Sequence, residues 1–256
     1  MIVNKDTKLF FSVSEIAGNF GSLLYNSAFE KLNINAIYKP LQLNRTQNFN
    51  LFLEGLMYLK PLGLSISMPF KTKAYEYYSK RCPDPIVHEI KNVNTYKFTE
   101  DSYIVDCYNT DYYGFEMTYD SFLSECKTVA IFGDGAVSKT IQSVLRKKKI
   151  SFSVVERRDN GVFPESDLLI NATPIGMDGI EDTVFTKDIV KKYKEIFDVV
   201  VKKETNLSNL AKNCNVPYTS GVWMSYFQLR RQWNLYNLGP SPDGLFLKLL
   251  KENNYV

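Results

Sequence analysis

The segment at 127–155 constrains the fold of this chain more than any other. An apolar run, KTVAIF (127–132), suits a buried strand and leads into Gly133-Asp134-Gly135. Residues 136–147 then read as a helix, and SFSVV (151–155) as the next strand. A strand, a glycine turn, a helix and a second strand form a βαβ unit with parallel strands. DLLI (167–170) and FDVVV (197–201) extend the series. Upstream, residues 9–13, 36–41 and 64–68 read as strands that alternate with helical stripes at 22–32 and 46–59. Two α/β domains are therefore expected, with a boundary near 107–120, and the chain closes with aromatic-rich helices at 221–237 and 244–250.

Composition narrows the function. The 256 residues are 45% hydrophobic and 23% charged, enough to bury full cores. Thirty-one basic residues against 28 acidic ones leave a net charge of +3, so no nucleic-acid partner is expected. No apolar stretch approaches the roughly 20 residues of a membrane span. The opening MIVNKDTK lacks the apolar core of a signal peptide, so no membrane partner and a cytoplasmic location are expected. Cys82, Cys107, Cys126 and Cys214 form no CxxC and read as reduced, mostly buried thiols, with no metal site. The single histidine, His88, excludes a histidine-rich zinc centre and reads as structural.

The glycine turn carries the first chemical signal. Glycines let the backbone approach a pyrophosphate, and a helix N-terminus supplies N–H donors and the positive end of a dipole. Gly133, Gly135 and Ala136 are the candidates here, although so short a motif equally suits a tight strand-to-helix turn. Asp134 would repel a pyrophosphate unless its carboxylate points away. Glu156, at the end of the following strand, holds the position that faces an adenosine ribose. An acid there suits the 2′-hydroxyl of NAD. The arginines that follow, Arg157 and Arg158, suit the 2′-phosphate of NADP.

Four segments taken in order resemble the shikimate dehydrogenase family. S-I-S-M-P-F-K (65–71) is similar to its N-V-T-x-P-x-K, and N-V-N-T (92–95) to its A-V-N-T. N-T-D-Y-Y-G (109–114) is similar to its N-T-D-x-x-G, and N-A-T-P-I-G-M (171–177) to its N-A-T-P-x-G-M. Gly221, Met224 and Gln228 fit its G-x-x-M-x-x-x-Q helix. The resemblance implies a two-domain enzyme: an N-terminal α/β substrate-binding domain over 1–106, completed by helices at 221–256, and a Rossmann-type domain over 107–220. It implies the reversible reduction of 3-dehydroshikimate with NADPH, NAD remaining a possible cofactor. Lys71 and Asp111 match the catalytic pair: a lysine can protonate the alkoxide that hydride transfer creates, and a carboxylate can orient it and bind a neighbouring hydroxyl. Asn94, Gln228 and Ser67 match substrate-binding positions, and Asn171, Thr173, Pro174 and Met224 join the cofactor-binding set.

The chain departs from the pattern where the family binds the substrate carboxylate. The family's H-S-x-S-P aligns with Gly18-Asn19-Phe20-Gly21-Ser22, so Asn19 and Gly21 replace the two serines, and a one-residue shift would offer Ser22 instead. Val201 stands where the family has a tyrosine. The expected ligand is therefore a small cyclic hydroxy acid whose identity stays open. The alternatives are a quinate or other polyol dehydrogenase using NAD, and a non-catalytic ligand-binding or regulatory relative. A monomer and a homodimer both fit the sequence.

Overall fold

The computed structural model describes residues 3–99, 105–156, 162–180 and 184–256. The chain forms two compact α/β units. The first comprises Met1–Thr110 with Leu229–Leu249, and the second Asp111–Gln228 with Leu250–Val256. The expected divisions were 106/107 and 220/221. The second of these moves into the middle of the long helix near the C-terminus.

In the first unit β1 (Lys8–Ser14), α1 (Phe20–Lys31), β2 (Ala36–Gln42), α2 (Phe49–Met57) and β3 (Gly63–Ile66) follow the expected alternation. α3 (Lys71–Tyr78), α4 (Pro85–Ile90), β4 (Thr95–Phe98) and β5 (Val105–Tyr108) complete the N-terminal part. The sheet order is β2-β1-β3-β4-β5. The first three strands are parallel, and β4 and β5 are antiparallel additions without a clear sequence signal. α2 begins three residues after its apolar pattern, because the Asn48 side chain accepts from the amides of Asn50 and Leu51 and fixes the start there.

The second unit starts with α5 (Thr110–Thr118), followed by β6 (Thr128–Phe132), α6 (Ala136–Lys147), β7 (Ser151–Val155) and β8 (Leu168–Asn171). It continues through α7 (Lys187–Val190), β9 (Glu195–Asp198), α8 (Asn206–Cys214), β10 (Tyr218–Ser220) and α9 (Gly221–Leu235). α10 (Asp243–Glu252) ends the chain's regular structure. The sheet order is β10-β9-β8-β6-β7, and every pairing is parallel. Central β8 is buried along its whole length, as a parallel strand covered on both faces must be. α6 shows why its boundaries were legible: Ile141, Val144 and Leu145 are buried, while Arg146 and Lys147 occupy its last turn, where cations suit the dipole.

β9 is a correction. The apolar run predicts a strand over 197–201, but the strand ends at Asp198 because its partner β8 ends at Asn171, directly opposite. Among the described residues, no helix is long and apolar enough to cross a membrane.

Candidate functional site

Both sheets have the same switch point. In the first, β2 and β3 lie on either side of β1. In the second, β7 and β8 lie on either side of β6. Ligands of open α/β sheets bind beyond the carboxyl ends of the strands where the winding reverses. The loops after β1 and β3, and those after β6 and β8, therefore hold the candidate sites.

Within the first unit, backbone bonds gather Ser67, Lys71 and Asn94 at the end of β3. The Ser67 amide donates to the Val13 carbonyl (2.9 Å), the Ile66 amide to the Asn94 carbonyl (2.7 Å), and the Val93 amide to the Lys71 carbonyl (3.0 Å). Lys71 opens α3 and is only 7% exposed. Asn94 is 1% exposed, and its Oδ1 accepts from the Thr110 amide (2.7 Å), the Thr110 hydroxyl (3.0 Å) and the Thr95 hydroxyl (2.9 Å). That side fixes the amide's orientation. Its Nδ2 is buried without a protein partner, a donor that a ligand hydroxyl would satisfy. A hydroxyl-rich layer lies behind: Gln232 donates to the Thr95 hydroxyl (2.8 Å) and accepts from Ser65 (3.2 Å).

Asn19 occupies the N-cap of α1 at the carboxyl end of β1, and its side chain makes no capping bond. The Ser22 hydroxyl instead donates back to the Asn19 carbonyl (3.0 Å), inside the first turn of α1. Ser22 thus sits in the first turn of the helix with its hydroxyl turned back on the N-cap. A Cβ at Gly21 would lie 3.4 Å from the Tyr38 hydroxyl, so a phenol borders the place of the second serine.

Within the second unit, the spacing of N-T-D-x-x-G acquires a reason. Asp111 and Gly114 are one turn apart on α5. A Cβ at Gly114 would stand 2.5 Å from the Met224 carbonyl and 3.2 Å from the Gln228 Cβ. The glycine therefore lets α5 press against α9, on the face where Asp111, 4% exposed, and half-buried Gln228 lie. Met224 is itself buried in the apolar cluster with Phe115 and Phe197.

The turn after β6 is built for backbone contacts. Gly133 has φ +108°, and a Cβ there would come within 2.6 Å of Thr173 Cγ2. The two loops of the switch point thus touch, and the Gly133 amide donates to the Val155 carbonyl next to Glu156 (2.9 Å). Gly135 is the N-cap of α6, offers no side-chain cap, and has open space where its Cβ would be. The first-turn amides, Ala136 included, sit at the positive end of α6. Asp134 turns away along α6, its carboxylate accepting from Gln142 Nε2 (3.4 Å), so it does not oppose an anion. These residues fit a dinucleotide pyrophosphate. Arg157 and Arg158 lie outside the described residues.

Asn171 and Thr173 shape the second loop from within. Asn171 Nδ2 donates to the Ile175 carbonyl (3.0 Å) and to Asp198 (2.9 Å), while its Oδ1 accepts from the Thr173 amide (3.1 Å) and hydroxyl (2.6 Å). Its side chain is fully committed to the turn that presents Pro174. Asp198, which the sequence reading missed, anchors this turn. It also accepts from the Val200 amide (3.1 Å) and the Thr205 hydroxyl (3.1 Å), and burial pushes its carboxyl up to about 6. A lone acid inside the apolar run at 196–201 was the available signal.

These features define a two-unit α/β protein with polar side chains gathered at the strand ends of one unit and a dinucleotide-type turn in the other. The family profile described as the shikimate dehydrogenase substrate binding domain matches residues 14–96. The chain is 27% identical to a shikimate dehydrogenase-like protein of Haemophilus influenzae over 92% of each chain. It is also 27% identical to the shikimate dehydrogenase (NADP(+)) of Dictyoglomus turgidum, over 91% of this chain and 92% of that one. The solved structure of shikimate dehydrogenase from Aquifex aeolicus superposes with a TM-score of 0.82 at 21% identity, covering 98% and 100% of the two chains, and shares its fold. The chain is thus similar over nearly its whole length to shikimate dehydrogenases, and residues 14–96 match the substrate-binding domain of that family.

Proposed function

We propose that this protein is an NADP-dependent dehydrogenase that interconverts a ring ketone and a ring alcohol in 3-dehydroshikimate or a closely related cyclic hydroxy acid. The observation that carries this reading is the buried amine of Lys71 at the end of β3, tied through Val93 to Asn94, whose buried Nδ2 lacks a protein partner. An amine and a free amide donor held in the same strand-end loops suit a carbonyl and its neighbouring hydroxyl. The nicotinamide, when bound, supplies the hydride. Lys71 delivers the proton to the resulting alkoxide oxygen and takes it back in the oxidative direction. Asp111 and Gln228 accept from and donate to ring hydroxyls. Gly133, Gly135 and Ala136 hold the pyrophosphate through backbone amides. The Asn171–Thr173 turn sets the position of Pro174 in the cofactor loop.

The carboxylate end differs from the family pattern. Asn19 contributes an amide where a serine hydroxyl stood, and Gly21 contributes only backbone. Each lost bond to a charged group weakens binding by about 1.5–3 kcal/mol. This supports a substrate whose acid group is displaced or differently sized. Turnover of 3-dehydroshikimate, 3-dehydroquinate and related ring ketones, each with NADPH and NADH, tests the reading. Reduction of at least one by NADPH is expected. Binding of the ring acids with no oxidation of either cofactor would mark a non-catalytic relative instead.

A further inference from the structure

The first unit also contains a pair of thiols that the proposed chemistry does not use. Cys82 follows the short turn at Ser79–Arg81 after α3, and Cys107 lies within β5. That turn packs against β5. Both sulfurs converge on one acceptor, the Tyr78 carbonyl, at 3.6 Å from Cys82 and 3.8 Å from Cys107, which brings the two thiols to the same place. Their surroundings differ in a useful way. Cys107 is fully buried in the apolar cluster with Tyr96 and Phe98, whereas Cys82 is half-buried at its edge. His88 Nε2 lies 3.2 Å from the Cys82 carbonyl and fixes the backbone there. Cys126 is buried in the other unit's core, and half-buried Cys214 is directed to the Lys187 carbonyl.

We propose that Cys82 and Cys107 form a reversible dithiol–disulfide modification site. The neighbouring Cys107 thiol holds the Cys82 thiol below its ordinary value, while the proximity of Cys82 together with burial raises Cys107. Cys82 is therefore the attacking thiolate and Cys107 the resolving thiol. With hydrogen peroxide, the Cys82 thiolate attacks one oxygen, forming a sulfenic acid and releasing hydroxide. The Cys107 sulfur then displaces the sulfenic oxygen, its proton leaving with that oxygen as water, and the S–S bond closes. With glutathione disulfide, the Cys82 thiolate breaks its S–S bond, forming the mixed disulfide and releasing one glutathione thiolate, and the Cys107 sulfur then displaces the second glutathione as the intramolecular S–S bond closes. Two electrons leave the protein in either case. The bridge joins the segment that leaves the Lys71 helix to the strand that enters the Asn109–Asp111 turn.

The full-length reduced protein, treated separately with hydrogen peroxide and glutathione disulfide, is quenched by alkylation under denaturing conditions and mapped by non-reducing proteolysis. Alkylatable thiols are expected to fall from four to two, with a Cys82–Cys107 linked peptide forming before any product at Cys126 or Cys214 and disappearing with dithiothreitol. Cys107→Ala should leave Cys82 as a stable sulfenic acid or glutathione adduct. The wild-type map decides the question even if that variant folds poorly. Absence of the linked peptide, accumulation of a single adduct at Cys82 in the wild type, or earlier reaction at Cys214 would overturn the proposal.

Discussion

The two switch points share one topology and offer opposite chemistry. Beyond β1 and β3 the proposed functional groups are side chains: an amine on Lys71, an amide on Asn94 and another on Asn19. Beyond β6 and β8 the proposed cofactor contacts rest on backbone. Gly133 is forced into φ +108°, Gly135 leaves an open N-cap, and a loop is wired internally by Asn171, Thr173 and Asp198. A side-chain site can change its ligand by substitution while the strands stay in place. A backbone site cannot, because its residues are also its scaffold. The departures from the family pattern follow that division: Asn19, Gly21 and the aligned serine positions belong to the side-chain site, while the glycine turn keeps its form.

That contrast can be broken most severely at Lys71. Lys71→Met should lower turnover by about 10²–10⁴-fold, the usual range for losing a positioned acid–base group, while NADPH affinity measured by calorimetry stays the same. Coupled loss of both would show that the two sites do not divide the labour in this way.

The glycines sharpen it next. In Gly133→Ala the new methyl meets Thr173 and the backbone is held at positive φ, so thermal unfolding should show a loss of about 1–3 kcal/mol. Gly135→Ala has open space and should change stability by less than about 0.5 kcal/mol, yet weaken cofactor binding by roughly tenfold or more.

A smaller effect is expected from Asp198→Asn. Burial raises the Asp198 carboxyl to about 6, so between the ordinary carboxylate range and that value the folded chain keeps a proton that the unfolded chain has released. Its contribution is present at low pH and is lost as pH rises through about 6, on the order of 3 kcal/mol in total. Stability of the wild type relative to Asp198→Asn should therefore fall across that window in chemical denaturation. An unchanged difference would remove the buried anchor from the account.

The smallest change tests the carboxylate end. Asn19→Ser combined with Gly21→Ser should lower KM for 3-dehydroshikimate by roughly tenfold or more, Gly21→Ser restoring one bond to a charged group while Asn19→Ser exchanges one donor for another. A KM that stays fixed or rises would mean that the acid group binds elsewhere.

What the sequence made legible divides along similar lines. α6 and β7 were readable to the residue, because a glycine turn and a clean helical stripe bound them. β4 and β5 were not, since TYKF and VDCY are four-residue strands whose pairing depends on an antiparallel neighbour. Lys71 and Asp111 were singled out through motif order. Residue type alone would have left Lys71 a surface lysine, and its burial came from the fold. The inward use of Asn171 was hidden for the same reason: its partners Ile175 and Asp198 meet only where β8 and β9 end together. The bond from the Ser22 hydroxyl to the Asn19 carbonyl was also hidden, because an alignment does not show where a helix starts.

Single-turnover stopped flow with NADPH and 3-dehydroshikimate, comparing wild type with Lys71→Met, addresses the central assignment most directly. The account predicts rapid NADPH oxidation in the wild type, and in the variant an unchanged cofactor-binding phase followed by a hydride-transfer phase slowed at least about 100-fold. Equal hydride-transfer rates in the two proteins would contradict it.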